Sequence, residues 1–132
     1  MKVIILGCDS LGAYLATILQ ESSHQVTIIE ESEDRLRSLP ATFDGSVIIG
    51  DGTDQEVLRR AGIEGADVFV GLDDQDNHNI MACQLAKVIF DVPKVICQIK
   101  DIARQQAFKE LGLTTFSPIS DLAKIIKRDI ER

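Results

Sequence analysis

Short apolar runs alternate, from one end of the chain to the other, with segments whose apolar residues recur at helical spacing. The runs Lys2–Leu6, Gln25–Ile29, Ser46–Ile49, Asp67–Leu72 and Lys94–Ile99 are rich in Val and Ile, while Thr114–Ser117 is more polar. Continuous β-branched runs, as opposed to strict alternation, mark parallel strands covered on both faces. Between the first two runs, Leu11, Leu15, Ile18 and Leu19 repeat at i, i+4, i+7 and i+8, the stripe of an amphipathic helix. Leu36 and Leu39 mark a short second helix ended by Pro40, and Val57, Leu58 and Ala61 a third stopped by Gly62. Ile80–Phe90 forms a fourth, ended by Asp91-Val92-Pro93. A fifth runs through Ile102, Ala107, Phe108 and Leu111 to Gly112, and a sixth through Leu122, Ile126 and Ile130.

The strand starts recur roughly every 20–28 residues, the length of one strand and one crossover helix. This alternation predicts an α/β fold: a doubly wound, six-stranded parallel sheet in three layers, with helices on both faces. No composition shift or repeat divides the chain, so one domain is expected over residues 1–132. The fourth helix is apolar around most of its circumference, through Ile80, Met81, Ala82, Cys83, Leu85, Ala86, Val88, Ile89 and Phe90. Either its neighbours cover it deeply, or its second face is a subunit interface.

Composition narrows the function. With 14 Lys and Arg against 21 Asp and Glu, the net charge is −7, which argues against partners such as nucleic acid or anionic lipid. Aromatic residues are 5% and Trp is absent, so platforms for stacked bases are not expected. In 132 residues there is no room for a cofactor domain plus a separate substrate domain. No apolar run approaches the ~18 residues that span a bilayer, and Val3–Leu6 before Cys8 is too short for a secretory leader. The three cysteines, Cys8, Cys83 and Cys97, form no Cys-x-x-Cys pair and, with His24 and His78, complete no metal set. A reduced, cytoplasmic setting is expected.

The candidate chemistry gathers after the strands. Gly7-Cys8-Asp9-Ser10-Leu11-Gly12 leads from the first strand into the first helix, where a dinucleotide fold carries G-x-G-x-x-G. Free N–H groups and the partial positive charge of the helix N-terminus favour phosphate there. The first and third glycines stand as Gly7 and Gly12, but Asp9 replaces the second. The bland alternative is that both glycines only shape the turn, and that Cys8 is a small filler. Glu30 closes the second strand, about 20 residues past the loop, at the position where an acid meets ribose hydroxyls. With Glu31 beside it, NADP is disfavoured. Glu31 also reads as a solvated charge behind a Ser32 cap. Gly50-Asp51-Gly52-Thr53-Asp54 follows the third strand and suits a tight ligand loop, with Asp54 as a helix cap. Asp73-Asp74-Gln75-Asp76-Asn77-His78-Asn79 reads as a polar loop and helix start, favoured by the helix dipole. His24 and His78 read as surface loop residues.

Together these residues resemble the N-terminal Rossmann lobe of the RCK (KTN, TrkA-N-type) domains of Trk and Ktr potassium-uptake regulators and potassium channel gates. The resemblance covers the whole chain. It rests on Lys2–Gly12, Val26–Glu30, above all Ile49-Gly50-Asp51-Gly52-Thr53-Asp54, then Val57–Ile63, Ala66-Asp67, Asp76–Ile80, Gln84–Lys87 and Leu111-Gly112. It implies a non-catalytic regulatory subunit that binds an adenine nucleotide, NAD(H), ATP/ADP or AMP, at the carboxyl edge of the sheet. Carried over by position, the ligand would meet Gly7, Cys8, Asp9, Ser10, Leu11 and Gly12, then Glu30, then Asp51, Gly52 and Thr53, then Asp73. It further implies a membrane potassium channel or transporter as partner, homodimers or larger rings paired through the fourth and fifth helices, and a place beneath the inner membrane. A second lobe usually follows the last helix in that family.

Four positions depart from the family pattern: Asp9 for glycine, Ser10 for a phosphate-binding Arg, Asp73 for Thr, and Gln98 for Arg. A phosphate within ~5 Å of Asp9 would be repelled by about 3 kcal/mol at an effective dielectric of ~20. The helix dipole returns only about 0.3–1 kcal/mol. Weak diphosphate binding is therefore expected. Two other functions share the alternating pattern. An NAD-dependent oxidoreductase fragment would need a nucleophile–base set that the sequence does not display. A phosphorylation-switched receiver would place Asp9, Asp51 and Lys100 after strands one, three and five, as here.

Overall fold

The computed structural model describes residues 1–132. It contains β1 (Lys2–Leu6), α1 (Ser10–Glu21), β2 (Gln25–Glu30), β3 (Ser46–Ile49), α2 (Gln55–Arg60), β4 (Val68–Gly71), α3 (Asp76–Gln84), β5 (Lys94–Gln98), α4 (Ile102–Glu110), β6 (Thr114–Phe116) and α5 (Pro118–Ile130). All strand pairs are parallel, in the order β3-β2-β1-β4-β5-β6. This is the expected doubly wound sheet. Its order reverses between β1 and β4, so the Gly7–Gly12 turn stands at the switch point, where such sheets bind ligands. The strand order also removes the receiver reading, since that fold runs 2-1-3-4-5.

Successive β1 residues point to opposite faces and serve separate cores. Ile4 and Leu6 join Ile29, Val57, Leu58, Phe69, Ala82, Cys83 and Cys97 under α2 and α3. Val3 and Ile5 join Ala13, Ala16, Val26, Ile28, Val68 and Val70 under α1.

Local details differ from the sequence reading. The second helix is a single 3-10 segment, Glu33–Ser38. Ser32 does not cap it with its side chain, and its backbone N–H is held by Glu30. The fourth helix starts at Asp76, four residues before its first large apolar residue, and its last turn widens into a π-helix over Leu85–Ile89. Asp76 accepts the backbone N–H groups of Lys100 and Asp101, which fixes that start against the end of β5.

Coverage of the sheet is uneven. No residue of α5 is buried, and its apolar stripe of Ile119, Leu122, Ile126 and Ile130 faces outward. On the α1 face, Val68, Val70, Leu72, Ile96 and Phe116 line an apolar groove of about 280 Å³ with Leu11, Leu15 and Leu19. The third layer expected over this half of the sheet is therefore not supplied by α5.

Gly7 has φ +101°, and a Cβ on it would lie 2.7 Å from the backbone of Leu72 and Asp73. Gly62 has φ +85° with open space around it. Gly7→Ala combines backbone strain with overpacking and should cost about 2 kcal/mol or more, while Gly62→Ala should cost only about 1 kcal/mol. Urea unfolding of both variants checks this; equal costs would mean that the β1 turn yields freely.

Candidate functional site

The loops that follow β1, β2, β3 and β4 meet at the carboxyl edge of the sheet. A buried carboxylate joins the first two. Glu30 is 2% exposed, its Oε1 accepts the N–H of Cys8 and its Oε2 accepts the N–H of Ser32, each at 2.9 Å. Two backbone donors are the kind of partners an ionised carboxylate needs in order to remain buried. The β1 turn is also tied to β2 by the Gly7 N–H on the Ile29 carbonyl at 2.8 Å. The acid predicted to meet a ribose is thus engaged in holding the glycine turn.

Asp9 is the N-cap of α1, and its Oδ1 accepts the N–H of Gly12 at 3.2 Å. Gly12 packs so closely on the turn that a Cβ there would lie 2.3 Å from the Gly7 carbonyl oxygen. Both glycines have firm structural reasons, whatever else they serve. Cys8 is fully buried. Burial, followed by the charges of Glu30 and Asp9, raises its thiol pKa to about 11, so the proximity of a helix N-terminus does not activate it. It fills the turn. Ser10 and Leu11 remain exposed at the mouth.

After β3, Asp51 closes an Asx turn: its Oδ1 accepts the N–H and the hydroxyl of Thr53, at 2.8 and 2.7 Å. These bonds, with a smaller contribution from His78, lower its pKa. Gly52 is buried against Leu6, where a Cβ would meet the leucine Cδ1 at 2.4 Å. Asp54 caps α2 through the Glu56 N–H, as expected.

After β4, Asp73 is fastened from below. Asn79, fully buried, accepts the Asp73 N–H at 2.8 Å and donates to the carbonyls of Asp73 and Gln98 at 2.7 and 3.1 Å. Above, Asp73 Oδ2 contacts His78 Nδ1 at 3.1 Å, and Oδ1 lies 3.7 Å from Arg35. Arg35 also reaches Asp74 at 3.1 Å and Glu30 at 4.0 Å. Its guanidinium, held protonated chiefly by Asp74, bridges the segment after β2 and the loop after β4.

The structure therefore brings Gly7, Cys8, Asp9, Gly12, Glu30, Asp51, Thr53 and Asp73 to one edge, with Gly52 beneath. Sequence reasoning missed Arg35, His78 and Asn79. His78 was read as a loop residue, yet it lies on α3 and pairs with Asp73. A basic residue five positions past the β2 acid was the available signal for Arg35. The polar Asn79, one position before the apolar run of α3, was the signal for a residue turned inward to satisfy backbone groups. No group of three His, Cys, Asp or Glu side chains is arranged to hold a metal ion.

The family model of the TrkA-N domain matches residues 3–118. The Trk system potassium uptake protein TrkA of Streptomyces coelicolor is 35% identical over 119 residues, covering 90% of this chain and 53% of that protein. The chain spans about half the length of the curated relatives it matches. Among solved structures, the Shewanella denitrificans Kef C-terminal domain in its AMP-bound form superposes with a TM-score of 0.78 at 21% identity, covering 93% of this chain and 75% of that one. The GsuK channel bound to NAD superposes with a TM-score of 0.72 at 19% identity, covering 89% of this chain and 21% of that one. These two likenesses establish the fold.

Because its folded pKa lies below the unfolded value, ionised Asp51 stabilises its loop above pH of about 3.9. That contribution is lost as pH falls through the lowered folded value. Thr53→Val removes the hydroxyl donor and should move the Asp51 titration upward, measured by carboxyl-carbon NMR. An unchanged titration would show that the hydroxyl does not hold this carboxylate.

Proposed function

The chain belongs to the TrkA-N family, and on that footing we propose that it is a non-catalytic regulatory lobe that senses an adenine nucleotide and controls a membrane potassium channel or transporter. The observation that carries this reading is the convergence of the Gly7–Gly12 turn, Glu30, Asp51–Thr53 and Asp73 on the switch point of the sheet. Related proteins support it: one relative is named for potassium uptake, and structural neighbours are described with AMP and with NAD.

The nucleotide's base and ribose lie across the carboxyl ends of β1 and β2, with NADP disfavoured by the buried charge of Glu30. No chemistry is performed on it. The thiol of Cys8 is buried and protonated, and the carboxylates of the edge are engaged by amides, a guanidinium and an imidazole instead of standing beside a nucleophile. Occupancy acts by moving the loops after β2 and β4, which Arg35 already couples. No helix is long and apolar enough to cross a membrane. The lobe reaches the membrane through its partner, on the cytoplasmic side. A thermal-shift series with AMP, ADP, ATP, NAD, NADH and NADP tests the reading: saturating adenine nucleotide should raise Tm by several degrees. No shift with any of them would overturn it.

The lobe works as a homodimer or larger ring paired through α3 and α4. Met81, Val88, Ile89, Ile102 and Leu111 are between 51% and 76% exposed, more large apolar surface than two helices of a monomer leave open without function. Sedimentation at high micromolar concentration should show a dimer or larger species. Val88→Asp should lower the assembly state while leaving the melting transition intact; a monomeric wild-type protein would refute the pairing.

A further inference from the structure

We propose that Asp9 closes the anion seat of α1 from within, and so restricts the ligand to a nucleoside monophosphate, excluding diphosphates and dinucleotides. The inference rests on the nucleotide-sensing reading above and names the class of ligand for that same crevice. Where a glycine turn opens a helix, the usual phosphate ligands are the first N–H groups of that helix. Here one of them, the Gly12 N–H, is already taken by Asp9 Oδ1 at 3.2 Å. The carboxylate supplies the negative charge that the helix N-terminus would otherwise draw from a ligand.

The rest of the edge reinforces the exclusion. Glu30 spends both oxygens on backbone amides, so its charge stays in place beneath the turn. Asp73 is linked to it through Arg35, and Asp51 follows β3 at the same edge. The basic side chains here are Arg35, which reaches Asp74, Asp73 and Glu30, and His78, which contacts Asp73 through Nδ1. Both contact Asp73 on the β4 side of the edge. A single phosphate can reach that side, where His78 is half exposed. A second phosphate held over α1 would face Asp9 with the Gly12 N–H already committed.

Calorimetry on wild type, Asp9→Asn and Asp9→Gly with AMP, ADP and NAD tests this. Asn retains an N-cap oxygen and removes the charge, so it separates electrostatic exclusion from loss of the cap; unchanged circular dichroism melts confirm folding. Wild type should bind AMP at least about ten-fold more tightly than ADP or NAD. Asp9→Asn should tighten ADP and NAD about ten-fold while changing AMP by less than about three-fold. Wild type that binds none of the three overturns the monophosphate assignment together with the reading it rests on. Equal affinity of wild type for AMP, ADP and NAD, or an unchanged preference in Asp9→Asn, overturns the role of Asp9 and leaves the nucleotide-sensing reading standing. No binding by wild type or either variant overturns that reading and this one together.

Discussion

The carboxyl edge of this sheet depends on one buried charge. Glu30 sits at the end of β2 with its two oxygens on the N–H groups of Cys8 and Ser32. The Cys8 donor would otherwise be unpaired in a buried place, at a cost of about 1–3 kcal/mol, while the Ser32 donor is only partly buried. The carboxylate fixes how far the β1 turn stands from β2, and thereby where α1 begins. The loop after β4 is linked to that frame through Arg35. Arg35 leans back on Glu30, Asp73 meets Arg35, and His78 meets Asp73.

The same constraint changes what the Gly-x-Asp-x-x-Gly turn can offer. A glycine at position 9 would leave the helix N-terminus open to an external anion. An aspartate there caps the helix from within the chain. Electrostatics and local helix energetics then pull in opposite directions for any phosphate. The cap stabilises α1 by an amount of order 1 kcal/mol, and the charge that makes it a good cap repels a second anion nearby. The cap holds the turn with groups of the chain itself.

The two faces of the sheet are covered unevenly. α1 and the 3-10 segment cover the β1–β2 side of one face, while the groove beside β4, β5 and β6 stays open. The opposite face is filled by α2 and α3, yet α3 and α4 still expose Met81, Val88, Ile89 and Leu111. In α5 the apolar stripe meets nothing. Three apolar faces of this small lobe thus stay uncovered.

From the sequence alone, the alternation of Val- and Ile-rich runs with helical stripes determined the class, the six strands and the place of the glycine turn, because strand and helix periodicity is a local property written in neighbouring residues. Gly-Asp-Gly-Thr-Asp and its following helix likewise marked the family, and Asp54 its cap. Other matters were decided only when distant segments met. Glu30 lies 22 positions from Cys8 and Arg35 lies 39 from Asp74, separations that no local pattern encodes. Asn79 looked like one more residue of a polar loop until the approach of β4 and β5 gave it three backbone partners. Hydrogen bonds between far-separated residues depend on chain topology, and topology exists only once the sheet has formed.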